Sequence, residues 1–152
     1  MRYAAITDRL ARLGGAKWEI HIEAKARIAR GEPILTLAIG EPDASPPAEV
    51  LAAAREALEA GRTGYSNGRG EARLLQALAD RYSRRTGRTV TTQQILALPG
   101  TQTALYGALT TLVGPGDEVI VGDPLYATYE GLIAATGARV VPVALRPEHG
   151  FR

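Results

Sequence analysis

Cysteine is absent from the 152 residues. That excludes disulfide bonds, thiolate metal sites and a cysteine nucleophile, and it fits a cytoplasmic protein. Histidine is nearly absent too. His21 and His149 are the two present, and their separation matches no metal-ligand spacing, so no metal site is expected. Nothing in the surroundings of either histidine supports a Ser/His/Asp set. Lysine occurs at Lys17 and Lys25 and nowhere else. No apolar run approaches the roughly 18 residues of a membrane span, and the mixed, charged stretch Met1 to Leu13 does not read as a signal peptide. Charge of one sign is lacking as well: the formal net charge is +2. The densest basic pair, Arg84 and Arg85, reads as a solvated helix face and not as a nucleic-acid contact.

What is there describes a globular chain. Hydrophobic residues make up 45% and charged residues 22%, and the length suffices for one ordinary domain with a core. No internal repeat or low-complexity linker interrupts it. Residues 1–32 read as partly helical, with Trp18, Ile20, Ile22 and Ile28 among charges. Ile34 to Ile39 is a short run rich in β-branched residues and predicts a strand, broken by Gly40-Glu41-Pro42-Asp43. A helix follows Pro46-Pro47, with Val50, Leu51, Ala54 and Leu58 on one face and Gly61 after its end. The loop 62–70 carries Gly64, Gly68 and Gly70. A second helix is expected from Glu71 to Arg85, buried along Leu74, Leu75, Leu78 and Tyr82 and ended by Gly87.

From Thr92 the pattern changes to short strands alternating with helices. Strands are expected at Ile95 to Leu98, Val119 to Val121 and Arg139 to Leu145, and helices at Gln102 to Val113 and Tyr126 to Thr136. Such alternation predicts an α/β fold with a mostly parallel sheet covered by helices. Three or four strands of that sheet are expected within the chain.

Four places offer chemistry. Gly100-Thr101-Gln102 lies where a strand is expected to pass into a helix. There the glycine permits close backbone approach, the first helical N–H groups lack partners, and the helix dipole favours an anion. The same residues would also serve a tight turn and nothing more. Tyr126, after Asp123-Pro124, sits where open α/β sheets build their ligand crevice; it is either an aromatic that stacks on a flat ring or a core tyrosine. Tyr65, in the glycine-rich loop, is either a surface aromatic or a donor to an anion. Gly40 either ends a strand or offers its N–H to a carboxylate.

Taken in order, these segments resemble the class I/II aminotransferases of pyridoxal-phosphate (PLP) fold type I. The stretches that carry the likeness are Leu37-Ala38-Ile39-Gly40-Glu41-Pro42-Asp43, then Gly64-Tyr65 with Gly70, then Leu98-Pro99-Gly100-Thr101-Gln102-Thr103-Ala104-Leu105. Gly114-Pro115-Gly116-Asp117-Glu118-Val119-Ile120-Val121, Pro124-Leu125-Tyr126-Ala127-Thr128-Tyr129 and Gly150-Phe151-Arg152 continue it. Each motif is weak alone, and the ordered series is specific. Trp18-Glu19-Ile20-His21 and Ala104-Leu105-Tyr106 look most like the arginine–pyruvate aminotransferases of that family.

The resemblance implies roles residue by residue. Gly100, Thr101 and Gln102 would hold the phosphate of PLP, Tyr126 would stack on its ring, and Tyr65 would reach the phosphate bound by the partner subunit of a homodimer. Gly40 would meet the carboxylate of the amino-acid or 2-oxo-acid substrate, and Trp18 its side chain. Ala44 and Leu75 stand where an aromatic and an arginine are common. Residues 1–45 would form the N-terminal arm and part of the small domain, and 46–152 the first part of the PLP-binding large domain. The family's Schiff-base lysine motif matches neither Lys17 nor Lys25, so no catalytic residue is assigned and this chain alone is expected to be inactive. Two other readings share the same motifs: a phosphate-binding or dimerising module without catalysis, and part of another fold-type-I enzyme such as a carbon–sulfur lyase or an acyl-transferring synthase.

Overall fold

A computed structural model describes residues 2–11, 13 and 15–152, with Ala16 and Lys17 as backbone alone. The chain divides into two compact units, residues 1–40 with 102–152, and residues 41–101.

The first unit is built on a β–α–β element. Strand β1 (Glu118–Asp123) and strand β2 (Arg139–Ala144) pair in parallel, Glu118 opposite Arg139 and Asp123 opposite Ala144. Parallel strands cannot be joined by a tight hairpin, and the crossover here is a helix, Tyr129–Thr136. The pairing extends past both ends, with Arg139 N–H donating to Asp117 O at 2.8 Å and Leu145 N–H to Asp123 O at 2.7 Å. An ion pair between Glu118 and Arg139 lies across the first register position. The turn that feeds β1 is closed by its own aspartate, since Asp117 Oδ2 accepts from Gly114 N–H at 2.8 Å.

The crossover helix ends at Gly137, whose φ of +89° is the left-handed cap conformation. Such a cap suits glycine because a Cβ there crowds the following carbonyl. A Cβ at Gly137 would also lie 2.9 Å from Pro115 Cγ. Ile133 and Ala138, at 2% and 8% exposure, form the buried centre of this unit.

Three further helices complete the first unit: α1 (Ala5–Leu10), α2 (Gly15–Ala29) and the helix Thr101–Leu112, whose first residue falls in the other unit. With α3 (Ala48–Glu59) and α4 (Ala72–Thr86) of the second unit, the last of these is α5 and the crossover helix α6. Leu105 and Leu109 of α5, Val119 and Val121 of β1, and Leu132 and Ile133 of α6 line one apolar space of about 180 Å³. Alternate positions of β1 thus face the helices, as a period of two requires. Arg9 of α1 donates to Ala134 O at 3.0 Å and Ala135 O at 3.2 Å. These are carbonyls of the last turn of α6, which carry partial negative charge; Ala134 O also accepts from the Gly137 cap N–H at 3.1 Å.

In the second unit α4 buries Leu75 and Ala79. Gly87 caps it with φ +67°, and the Ser83 hydroxyl folds the chain back by accepting from Val90 N–H at 2.9 Å and donating to Val90 O at 3.2 Å. Helix α3 starts after Pro47, as a proline near the first turn favours, but Val50, Leu51 and Leu58 on its apolar face remain exposed.

Several expectations require correction. Ile34 to Ile39 is not a strand and bends at Ala38: no neighbouring strand pairs with it among the described residues, and Leu35 and Leu37 are 89% and 90% exposed. Ile95 to Leu98 likewise has no ladder and is held instead by Ala97 N–H to Arg69 O at 2.8 Å. The sheet therefore has two strands among the described residues, not three or four. β-branched composition suits an extended backbone, but a strand also needs a partner's hydrogen bonds. On α4, Leu74 and Tyr82 are exposed, and burial falls on Leu75 and Ala79. The helix expected from Tyr126 begins at Tyr129. The remaining helices and strands β1 and β2 fall within about two residues of their expected bounds, the usual scatter of element ends.

Gly137→Ala is expected to destabilise the first unit by about 1–3 kcal/mol, combining the left-handed conformation with the Pro115 clash. Chemical denaturation should show the loss as a lower midpoint. An unchanged midpoint would mean that Pro115 moves aside and the cap accepts a side chain.

Candidate functional site

The strongest local feature is the start of α5. Gly100 has φ +86°, a conformation side chains resist. A Cβ built there meets nothing within 4 Å, so the glycine answers to backbone geometry and open space, not to close packing. Gly100, Thr101 and Gln102 are all exposed. None of their amides donates to a carbonyl outside the helix among the described residues. The first N–H groups of a helix have no intrahelical acceptor, and the dipole adds partial positive charge at that end. The turn is thus a cradle of unengaged donors, with the Thr101 hydroxyl and the Gln102 side chain free of hydrogen bonds among the described residues. These residues fit a phosphate group: there is room, there are donors, and no internal group occupies them.

In the first unit Trp18 and Gln102 line one open cavity of about 460 Å³. Its walls are mostly apolar, from Ile6, Leu10, Leu132 and Ala135, with Tyr106, Thr128 and Glu130 as polar members. Tyr106 stands one helical turn beyond Gln102 and so shares its face. Thr128 Oγ1 is buried and has no partner, a cost that a bound polar group would relieve. Trp18 is steadied by His21, whose ring lies edge-on at 6.1 Å; His21 Nδ1 is also buried without a partner.

Tyr126 is not among the residues lining this cavity, although its neighbours Ala127 and Thr128 are. Its ring is 62% exposed and leans on Tyr129 with centroids 5.6 Å apart. An exposed ring braced from one side leaves its other face for a ligand. Gly40, also in the first unit, is exposed, with nothing within 4 Å of a Cβ built on it. Tyr65, in the second unit with Gly100 and Thr101, is fully exposed. Lys25 is exposed on α2; the Lys17 side chain lies outside the described residues. Among the described residues no cluster of three His, Cys, Asp or Glu could hold a metal ion, and no helix is long and apolar enough to cross a membrane.

The sequence reading did not single out Thr128 and Glu130, and it used Tyr106 only as part of a motif. A spacing of four from Gln102 was the available sign for Tyr106. Nothing local marked Thr128 or Glu130, whose place depends on where α6 packs.

The chain is similar to known proteins in sequence and in fold. Residues 32–152 match the family described as aminotransferase class I and II. The whole chain is 49% identical to the arginine–pyruvate transaminase AruH of Pseudomonas aeruginosa, covering 39% of that protein. It is 35% identical over 98% of its length to an aspartate/prephenate aminotransferase of Cereibacter sphaeroides, covering 38% of it. The aspartate aminotransferase of Thermotoga maritima superposes with a TM-score of 0.87 at 32% identity, over 95% of this chain and 39% of that one. That of Rhizobium meliloti gives 0.89 at 28% identity, over 100% of this chain and 38% of that one. The chain therefore spans about two fifths of the length of these relatives. On its sequence and on its fold, it belongs to the class I and II aminotransferases.

Proposed function

We propose that this chain supplies the cofactor-phosphate cradle and part of the substrate pocket of a PLP-dependent aminotransferase, which moves an amino group from an amino acid to a 2-oxo acid. The observation that carries the reading is the left-handed, open turn at Gly100 with unengaged amides at the start of α5, in a chain of a family whose members use PLP. Gly100, Thr101 and Gln102 bind the phosphate through backbone N–H groups, a hydroxyl and an amide. Tyr126 offers its ring face to the pyridine. When bound, PLP supplies the electron sink that labilises bonds at the substrate α-carbon. Tyr65, with its hydroxyl in solvent, reaches the phosphate held by a second subunit, so the working assembly is a homodimer with shared sites. Gly40 meets the substrate carboxylate. Residues 1–45 are the arm and part of the small domain, and 46–152 the beginning of the large domain.

The cavity at Trp18 takes the substrate side chain. Its apolar walls suit a long aliphatic stem, and indole favours a cationic group by its ring quadrupole. Together with the similarity to an arginine–pyruvate transaminase, this favours arginine as amino donor and pyruvate as acceptor. No residue of this chain is assigned as the base that moves the α-proton. Neither Lys17 nor Lys25 matches the family's Schiff-base lysine motif, so the 152-residue chain alone is read as a binder and not a catalyst.

Two measurements test this. Pyridoxal phosphate should bind the chain saturably and reversibly, and pyridoxal without the phosphate about tenfold more weakly or worse, the loss of one or two charge-assisted hydrogen bonds. Gly100→Ala should weaken the phosphate-bearing form selectively while costing roughly 1–2 kcal/mol of stability. Equal affinity for both aldehydes, or indifference to Gly100→Ala, would defeat the cradle assignment. Trp18 is the single tryptophan, so arginine should change its emission saturably while glycine, lacking a side chain, should not. Identical responses to the two would remove Trp18 from the pocket.

A further inference from the structure

We infer that Arg69 is a positioning residue that ties the Tyr65 loop to the phosphate turn, so that the two are held as one body. The inference rests on the reading of Gly100 as a phosphate cradle, and every residue it uses lies in the unit 41–101.

Arg69 stands four residues after Tyr65 in a loop with no secondary structure of its own. Its guanidinium points away from solvent partners and into the backbone. One terminal nitrogen donates to Thr92 O at 3.0 Å and Ile95 O at 2.9 Å, with Gln93 O as a third acceptor. Those carbonyls belong to the short helical turn Thr92–Gln94 and the residue that ends it; Thr92 O also accepts from Ile95 N–H at 3.2 Å, and carbonyls at such an end favour a cation. Among the described residues Arg69 pairs with no carboxylate, so its charge is met by these dipoles.

The backbone of the same residue makes the second tie, Ala97 N–H to Arg69 O at 2.8 Å. The neighbouring glycine makes a third. Gly70 has φ +124°, and a Cβ there would lie 2.8 Å from Ala97 Cβ and 3.3 Å from Leu75 Cδ2. The loop is therefore pressed against 95–97 and the buried Leu75 of α4. Asn67 Oδ1 shapes the approach by accepting from Arg69 N–H at 3.0 Å and Gly70 N–H at 3.1 Å.

Both ligand-facing features hang from this knot. Tyr65 is four residues before it on one strand of chain, and Gly100 is three residues after Ala97 on the other. Tyr65 is fully exposed, and Gly100, directly before the first residue of α5, packs against nothing within 4 Å of a Cβ placed on it. Segments 63–70 and 95–100 carry no ladder. All three carbonyls are met by one terminal guanidinium nitrogen, at the reach of the full arginine side chain, which the shorter lysine side chain does not match.

The test uses the 152-residue chain with Arg69→Ala and Arg69→Lys. Amide hydrogen exchange reads order at 64–70 and at 97–101, and pyridoxal phosphate titration reads the cradle. In Arg69→Ala both segments should speed up together, and the dissociation constant should rise about tenfold, the scale of a lost charge-assisted hydrogen bond. Exchange in β1 and β2 should stay as in the parent chain. Arg69→Lys keeps the charge on a shorter side chain, and should still weaken binding by about threefold because the ammonium falls short of these carbonyls. Faster exchange at 64–70 alone, with affinity within about twofold of the parent, overturns the inference. Should Arg69→Ala unfold α4, Arg69→Lys decides: parent-like exchange at 97–101 with parent-like affinity overturns it equally. A parent chain that binds no pyridoxal phosphate counts against the cradle itself, and joint or separate loosening of the two segments then still decides the tie.

Discussion

Parallel pairing of β1 and β2 is the constraint from which the rest of the first unit follows. Two neighbouring parallel strands need a connection that returns the chain to the same end of the sheet. α6 supplies it in eight residues, and its cap at Gly137 places the chain for β2. The same demand for return makes each strand end in a turn on one side, which is where ligand-binding loops of open sheets collect. Asp123-Pro124 and Tyr126 follow β1 on that side. The loop that carries Tyr126 is thus a by-product of this topology.

Polar anchors carry much of the order that a larger core would otherwise supply. Four hydrophobic residues are buried among those described: Leu75, Ala79, Ile133 and Ala138. Against that small set stand side chains that grip backbone over long sequence distances. Arg9 caps α6 from 125 residues away, Arg69 gathers carbonyls of 92–95, and Ser83 clips Val90. Each satisfies backbone groups that helix ends and turns leave open, and such groups are costly when left without a partner. The surface ion pairs, such as Arg27–Glu32 at 2.7 Å and Arg62–Glu71 at 3.3 Å, are half exposed and contribute little beside these.

Much of the fold and part of the candidate site were legible in advance. Helix bounds followed from prolines, glycines and apolar spacing, which act within a turn or two of chain. A tight turn at Gly100 was legible because glycine before a helix suits a left-handed bend, and its φ is +86°. No strand forms at 34–39 or 95–98 because apolar or β-branched residues report what a segment tolerates, while a strand exists through a neighbour far along the chain. Thr128, Glu130 and Arg69 went unnoticed for the same reason. A threonine with a buried, unpartnered hydroxyl and an arginine aimed at carbonyls 23 to 26 residues away look like any other threonine and arginine in a string.

The sequence by itself determined the helices, the turns between them, the alternation that implies parallel strands, and a series of motifs specific enough to place the chain among aminotransferases. These are properties of neighbours in the chain, set by backbone sterics and by side-chain periodicity. Tertiary structure alone decided that the chain packs as two compact units, that Trp18 and Gln102 share one cavity, and that Arg69 serves the carbonyls of 92–95. Those outcomes depend on which distant groups meet, because burial and hydrogen-bond satisfaction are settled between partners and not along the chain.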